Sequence, residues 1–184
     1  SPTGFAHSVY SIKQDSKGRM WIGTKGEGLY CWDGKAMNHY VHDQHDRWSL
    51  SNDDIYDIFE DSSHRLWIAT YGGGVNCVEP QSNGSLHFVN VNNLFKSYPR
   101  LAFLRVRRIA ETRRGEMVVA TNGGLITFSS KPMPLPRLRF FTTSSRSGDD
   151  HSLSSGTVLQ ALPTRDGHVF VNIMGGGVQE ITDD

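Results

Sequence analysis

Apolar and polar positions alternate along this chain in short runs, and the runs recur in a fixed order. The first passage, V-Y-S-I-K-Q-D-S-K-G-R-M-W-I-G-T-K-G-E-G-L from Val9, returns as I-Y-D-I-F-E-D-S-S-H-R-L-W-I-A-T-Y-G-G-G-V from Ile55, with weaker copies from Val106 and Val158. Each apolar opener is followed six residues later by a turn residue (Asp15, Asp61, Thr112, Thr164) and twelve later by a large apolar one (Trp21, Trp67, Val118, Phe170). Short alternating runs bounded by Asp and Gly predict strands joined by tight turns. A first strand starts at each opener, and second strands are expected at 20–24, 66–70, 117–121 and 169–173. Glycine turns follow, then third strands at 29–32, 75–78, 125–128 and 178–181, and weak fourth strands at 39–41, 87–91 and 139–142.

The openers lie 46, 51 and 52 residues apart. Strand-rich units of that period are the blades of a β-propeller, where each unit buries its faces only against its neighbours. The expected fold is all-β: cassettes at about 9–54, 55–105, 106–157 and 158–184, giving three complete four-stranded blades and three strands of a fourth. Because the chain stops where another fourth strand would begin, and Ser1 is not a natural start, it reads as a propeller fragment of a larger ring. The exposed flanks of such a fragment lead to the expectation of homodimer pairing through its end blades. The longer connections carry one recurrent apolar residue, Leu50, Leu101 or Leu153, five positions before the next cassette. Burial between blades is the expected role of these leucines.

Composition narrows the function. A length of 184 residues, 37% hydrophobic, suits a globular domain, and 19 basic against 19 acidic residues give no global field for nucleic acid. The densest basic patch is Arg100, Arg105, Arg107, Arg108, Arg113 and Arg114, which reads as a solvated face. No apolar run is long enough to span a bilayer, so no membrane contact by this segment is expected. Cys31 and Cys77 occupy equivalent cassette positions, too far apart in neighbouring blades for a disulfide, and are expected as free buried thiols. The glycine turns resemble phosphate cradles but lack a following helix, so positive φ and close blade packing explain them better. His39, His42 and His45 are not spaced to converge on a metal, and no nucleophile elbow or catalytic constellation is present; no catalytic residue, metal or cofactor is assigned.

Binding suits the pattern better. Strand direction reverses at every turn, so the second-to-third-strand turns and the blade connections emerge on one face. That face gathers Lys25, Glu27, Tyr71 and Asn122 from the turns, and His45, Arg47, Trp48, Tyr98, Arg100 and His151 from the connections, with Asp46, Arg146 and Asp149 nearby. Aromatic rings among hydrogen-bonding and cationic groups suit an oligosaccharide, and Arg would also pair with a uronate or sulfate. Trp48 is the leading candidate, because its loop is polar.

The strings D-S-K-G-R-M-W-I-G-T-K-G-E-G-L-Y at 15–30 and D-S-S-H-R-L-W-I-A-T-Y-G-G-G-V-N at 61–76 resemble the two-component regulator propeller repeat. The resemblance decays in the third copy, with Val118 for Trp, and in the fourth, with Phe170 for Trp and Ile173 for Thr. It implies a seven-bladed ring in the periplasmic ectodomain of a hybrid two-component sensor histidine kinase of Bacteroides type, anchored in the inner membrane. Such a receptor recognises oligosaccharides and regulates polysaccharide-utilisation genes, and the rest of the ring would be this segment's partner. The alternatives are a protein-interaction or dimerisation scaffold and a propeller lyase.

Overall fold

In the computed structural model, residues 8–131, 137–143 and 152–181 are described. They form four antiparallel sheets. The first contains β1 (Val9–Gln14), β2 (Met20–Thr24), β3 (Leu29–Trp32) and β4 (Met37–Tyr40) in that spatial order. The second contains β5 (Ile55–Glu60), β6 (Leu66–Thr70), β7 (Gly74–Pro80) and β8 (Leu86–Val89). The third contains β9 (Val106–Glu111), β10 (Glu116–Thr121), β11 (Gly124–Ser129) and β12 (Arg139–Phe141). The fourth contains β13 (Val158–Pro163), β14 (Val169–Ile173) and β15 (Gly177–Ile181). A 3-10 turn at Leu101–Leu104 leads into the third sheet. Among the described residues no helix is long and apolar enough to cross a membrane.

The strands β1, β5, β9 and β13 lie side by side from sheet to sheet, so the sheets are blades around a common axis. Apolar residues fill each seam. Trp21, Leu29 and Cys31 of the first blade meet Ile58, Ile68 and Phe88 of the second. Trp67 and Cys77 of the second meet Ile109, Met117 and Phe128 of the third, and Val118 and Leu125 of the third meet Ala161 and Val171 of the fourth. Burying one such side chain contributes roughly 1.5–3 kcal/mol, so the seams carry most of the fold's stability. Both cysteines are free and buried.

Polar links reinforce the seams. Asp61 caps its own turn by accepting the Ser63 and Arg65 amides, both at 2.9 Å, and also accepts the buried Trp67 indole N–H at 2.9 Å. Asp15 accepts the Trp21 indole N–H at 2.8 Å in the same way. Glu60 and Glu111, which end the inner strands of the second and third blades, accept the amides of Ser16 and Ser62 in the preceding blade at 2.9 and 2.7 Å. The glycine turns are close-packed as expected: Gly28 has φ +75°, and a Cβ there would lie 2.3 Å from the Tyr40 carbonyl oxygen.

Two of the three leucines fill seams, since Leu50 and Leu153 are buried. Leu101 does not, and is 87% exposed at φ +60°. The 3-10 turn rotates it outward, and Phe95 and Tyr98 fill the second seam instead.

Candidate functional site

All four innermost strands carry the same irregularity. Ile55 pairs with Thr70 and Asp57 with Ala69, leaving Tyr56 as an extra residue, and the same shift leaves out Tyr10 in β1, Arg107 in β9 and Leu159 in β13. Such a β-bulge breaks the pleat and re-aims the side chain of the extra residue. In the second and third blades this extra residue stands beside the first residue of the glycine turn, Tyr56 against Tyr71 and Arg107 against Asn122.

In the first three blades these positions meet as a continuous cluster. The Tyr10 ring stands edge-on to Tyr56 at 5.0 Å and 88°, and Tyr56 stacks on Tyr71 at 4.6 Å and 15°. Asn122 donates its amide to the Tyr71 hydroxyl at 2.9 Å and accepts from Arg107 Nε at 2.7 Å. The guanidinium carbons of Arg107 and Arg105 lie 5.6 and 5.9 Å from the Tyr71 ring centre, within cation–π range. Backbone bridges hold the blades in register here, Lys25 with Asp54 and Tyr71 with Arg105. Tyr10 and Arg105 are exposed, and Tyr56, Tyr71, Arg107 and Asn122 half-buried, so rings and guanidinium groups are partly open to solvent. Burial raises the Tyr56 hydroxyl above its ordinary range, with Tyr10 and Tyr71 adding to the effect, so it stays a protonated donor at neutral pH.

Of the residues expected at a ligand face, Lys25, Tyr71 and Asn122 fall at this ladder. Glu27 follows in the same turn, where its carbonyl is bonded to His39 Nε2 at 2.6 Å. His45, Arg47 and Trp48 are elsewhere. Trp48 is half-buried, stacks on His87 of β8 at 4.7 Å and 10°, and lies under the Arg47 guanidinium at 4.9 Å. Its carbonyl accepts the Phe88 amide at 2.8 Å. Three inter-strand steps, about 14 Å, separate that outermost strand from β5. Buried Asn76, Asn90 and Asn93 clamp the connection there through Ser51, Ser49 and Arg47. Trp48 is thus a cover on the outer edge of the second blade rather than a neighbour of the ladder.

Tyr98 requires correction as a surface residue. It is 2% exposed in the second seam and donates its hydroxyl to the Phe103 carbonyl at 3.2 Å. Tyr98 holds the position that leucine occupies in the other connections, and burial pushes its hydroxyl far above the ordinary range. Arg100 is exposed at the start of the 3-10 turn. His151, Arg146 and Asp149 lie outside the described residues. His39 and His42 are held by the Glu27 and Leu50 carbonyls, and His45 turns to Asp43; among the described residues no group of three or more His, Cys, Asp and Glu could hold a metal.

Tyr10, Tyr56, Arg105 and Arg107 went unrecognised as site residues. A signal was available: Ile55 and Ile58 are both buried although three residues apart, as are Val106 and Ile109, and Val158 and Ala161. In a regular strand, residues three apart face opposite sides, so this spacing betrays an extra residue between them.

The family model described as "Two component regulator propeller" matches residues 3–26 and 49–72. No curated protein sequence matches the chain significantly. Among solved structures, PorZ of the Porphyromonas gingivalis type-IX secretion system aligns over 100% of this chain and 28% of its own, at 12% identity and a TM-score of 0.68. Virginiamycin B lyase from Staphylococcus aureus aligns over 98% of this chain and 57% of its own, at 12% identity and a TM-score of 0.61. The extracellular domain of a hybrid two-component system from B. thetaiotaomicron aligns over 100% and 35%, at 14% identity and a TM-score of 0.48. The chain thus spans between 28% and 57% of the length of these structures. It is a β-propeller segment of four sheets, and residues 3–26 and 49–72, in and just before its first two blades, match the two-component regulator propeller model.

Proposed function

We propose that this segment is the ligand-recognising, non-catalytic part of a membrane-bound two-component sensor, facing the periplasm, and that its ligand is an oligosaccharide laid across the Tyr10–Tyr56–Tyr71 ladder. The observation that carries this reading is the ladder itself: bulges in two successive blades bring Tyr10 and Tyr56 together, and Tyr71 stacks on Tyr56, flanked by Arg105, Arg107 and Asn122. Ring faces support the apolar side of a sugar, while guanidinium and amide groups bond its hydroxyls or a uronate carboxylate. The repeat at residues 3–26 and 49–72 supports the two-component assignment.

A glycan array spanning neutral and acidic oligosaccharides tests the reading, with hits followed by calorimetry. Tyr71→Ala and Tyr56→Ala are each expected to weaken binding at least about tenfold, or ~1.4 kcal/mol, with an unchanged far-ultraviolet spectrum. Trp48→Ala leaves affinity within about twofold. Binding indifferent to both tyrosine substitutions, or no glycan bound by the full ectodomain, overturns it.

A second reading has its own support. The outer flanks of the first and fourth blades expose Ile12 (64%), Leu162 (59%) and Val178 (69%), so a second copy would pair blade to blade through these faces. Sedimentation equilibrium showing a monomer at high concentration would refute it.

A further inference from the structure

The third seam is built differently from the first two. In the first two blades an Asp, an Arg and a Trp act together: Trp21 and Trp67 donate to Asp15 and Asp61, and the guanidinium carbons of Arg19 and Arg65 lie 5.0 and 5.6 Å from the indole centres. In the third blade all three are replaced, by Thr112, Glu116 and Val118. The glutamate latch is also lost, since Pro163 stands where Glu60 and Glu111 end the preceding inner strands, and Arg113 bonds the Arg165 carbonyl instead. Val118 is too small to fill the volume of an indole. A cleft of about 340 Å³, partly open to solvent, lies between the third and fourth blades, with Phe141, Val169 and Ile181 among its apolar walls and buried Val118 and Leu125 at its floor.

The charges lining the cavity are paired only in part: Arg113 and Arg114 also line it, and Arg113 is bonded to the Arg165 carbonyl. Glu116 takes two hydrogen bonds from Arg139, at 2.7 and 2.9 Å, and His168 is bonded to Glu180 on the facing blade. A neutral ring meets apolar walls, a guanidinium at its side and the hydroxyls of Thr112 and Thr127. For scale, an apolar cavity of about 150 Å³ suffices to bind benzene.

We propose that this cavity is a binding site for a small, planar aromatic molecule of about indole size, which takes the place that Trp21 and Trp67 fill in the other seams. Such a ligand would tie the fourth blade to the third and stabilise the seam.

Indole is the probe, tested by thermal unfolding and by saturation-transfer NMR on the full chain. At ten times its dissociation constant, indole is expected to raise the melting temperature by about 3–6 °C. In Val118→Trp, which supplies the ring covalently, that rise and the saturation transfer disappear, whereas Tyr71→Ala, remote from the seam, keeps both. If Val118→Trp does not fold, Val169→Phe fills the cavity from the opposite wall and is expected to abolish the same signals. No rise and no saturation transfer up to millimolar indole, or signals undiminished in the filled variant, would overturn the proposal.

Discussion

Replacing Asp61 by alanine should show how unevenly the four turn residues contribute to stability. The Asp61 carboxylate accepts the indole N–H of fully buried Trp67 and the Nε–H of Arg65, both at 2.9 Å. With the carboxylate gone, the indole N–H is left buried and unpaired, at a cost of about 1–3 kcal/mol. Arg65 loses its counter-charge. A fully buried pair would cost about 3–5 kcal/mol to break, but this side chain is 22% exposed, and water screening reduces the figure to about 1–2 kcal/mol. The Ser63 and Arg65 amides lie in an exposed turn and find water. The sum is about 2–5 kcal/mol, or a fall in Tm of about 4–20 °C for a chain of this size.

Thr164 holds the same cassette position in the fourth blade, beside Phe170 rather than Trp, and its hydroxyl bonds are exposed, so Thr164→Ala should cost under about 1 kcal/mol. Urea unfolding of both variants provides the measurement, with an unchanged m-value as the check that the blades still unfold together. Losses within about 0.5 kcal/mol of each other would refute the reasoning. The acid limb offers a second reading of the same group. Burial alone raises the Asp61 carboxyl, but hydrogen bonds from Trp67 and Arg65 outweigh it and hold the group below its ordinary range. The stabilisation is therefore complete above the unfolded-state value and is lost as pH falls through the folded-state value, so wild type and Asp61→Ala should converge in stability at strongly acid pH.

The connecting leucines should separate cleanly in the same urea assay: Leu50→Ala, in the first seam, costs about 2–5 kcal/mol, while Leu101→Ala, at an exposed site, stays within about 0.5 kcal/mol of wild type. Equal losses would show that the 3-10 turn does not set Leu101 outward. Burial pushes the Cys77 thiol up to about 12 and the Cys31 thiol up to about 11, so neither should react with Ellman's reagent at pH 8 until the chain unfolds. A fast-reacting thiol in the folded protein would contradict their placement in the seams.

Strand positions were legible because each blade is assembled from hairpins, whose pairing is local and whose turns announce themselves as Asp, Gly or Gly-Gly. The second strands at Met20–Thr24, Leu66–Thr70 and Val169–Ile173 run as their alternation indicated. Seam residues were legible too where the repeat is strict, since Trp21 and Trp67 are fully buried. Contacts made by an irregular connection were not. Tyr98 and Leu101 sit three residues apart, and although Leu101 holds the recurrent leucine position, a single 3-10 turn sets it outward and Tyr98 enters the core.

The ladder was hidden for a different reason. Tyr56 and Tyr71 belong to one hairpin and would have been assigned neighbouring places by a regular register, but contact with Tyr10, Arg107 and Asn122 depends on how three blades are set around the axis. Neither period nor alternation within a blade contains that angle. The repeat does contain the bulge, as an apolar spacing of three where two is the rule, and the bulge fixes which residue type per blade faces the shared mouth: Tyr, Tyr, Arg, Leu in chain order. The residues flanking that position are fixed by packing, whereas the bulged side chain is not, so this is where successive blades can differ at little cost in stability. In the two copies that keep Trp and Asp the bulge presents Tyr both times, and it changes to Arg107 and Leu159 in the copies where Val118 and Phe170 replace Trp.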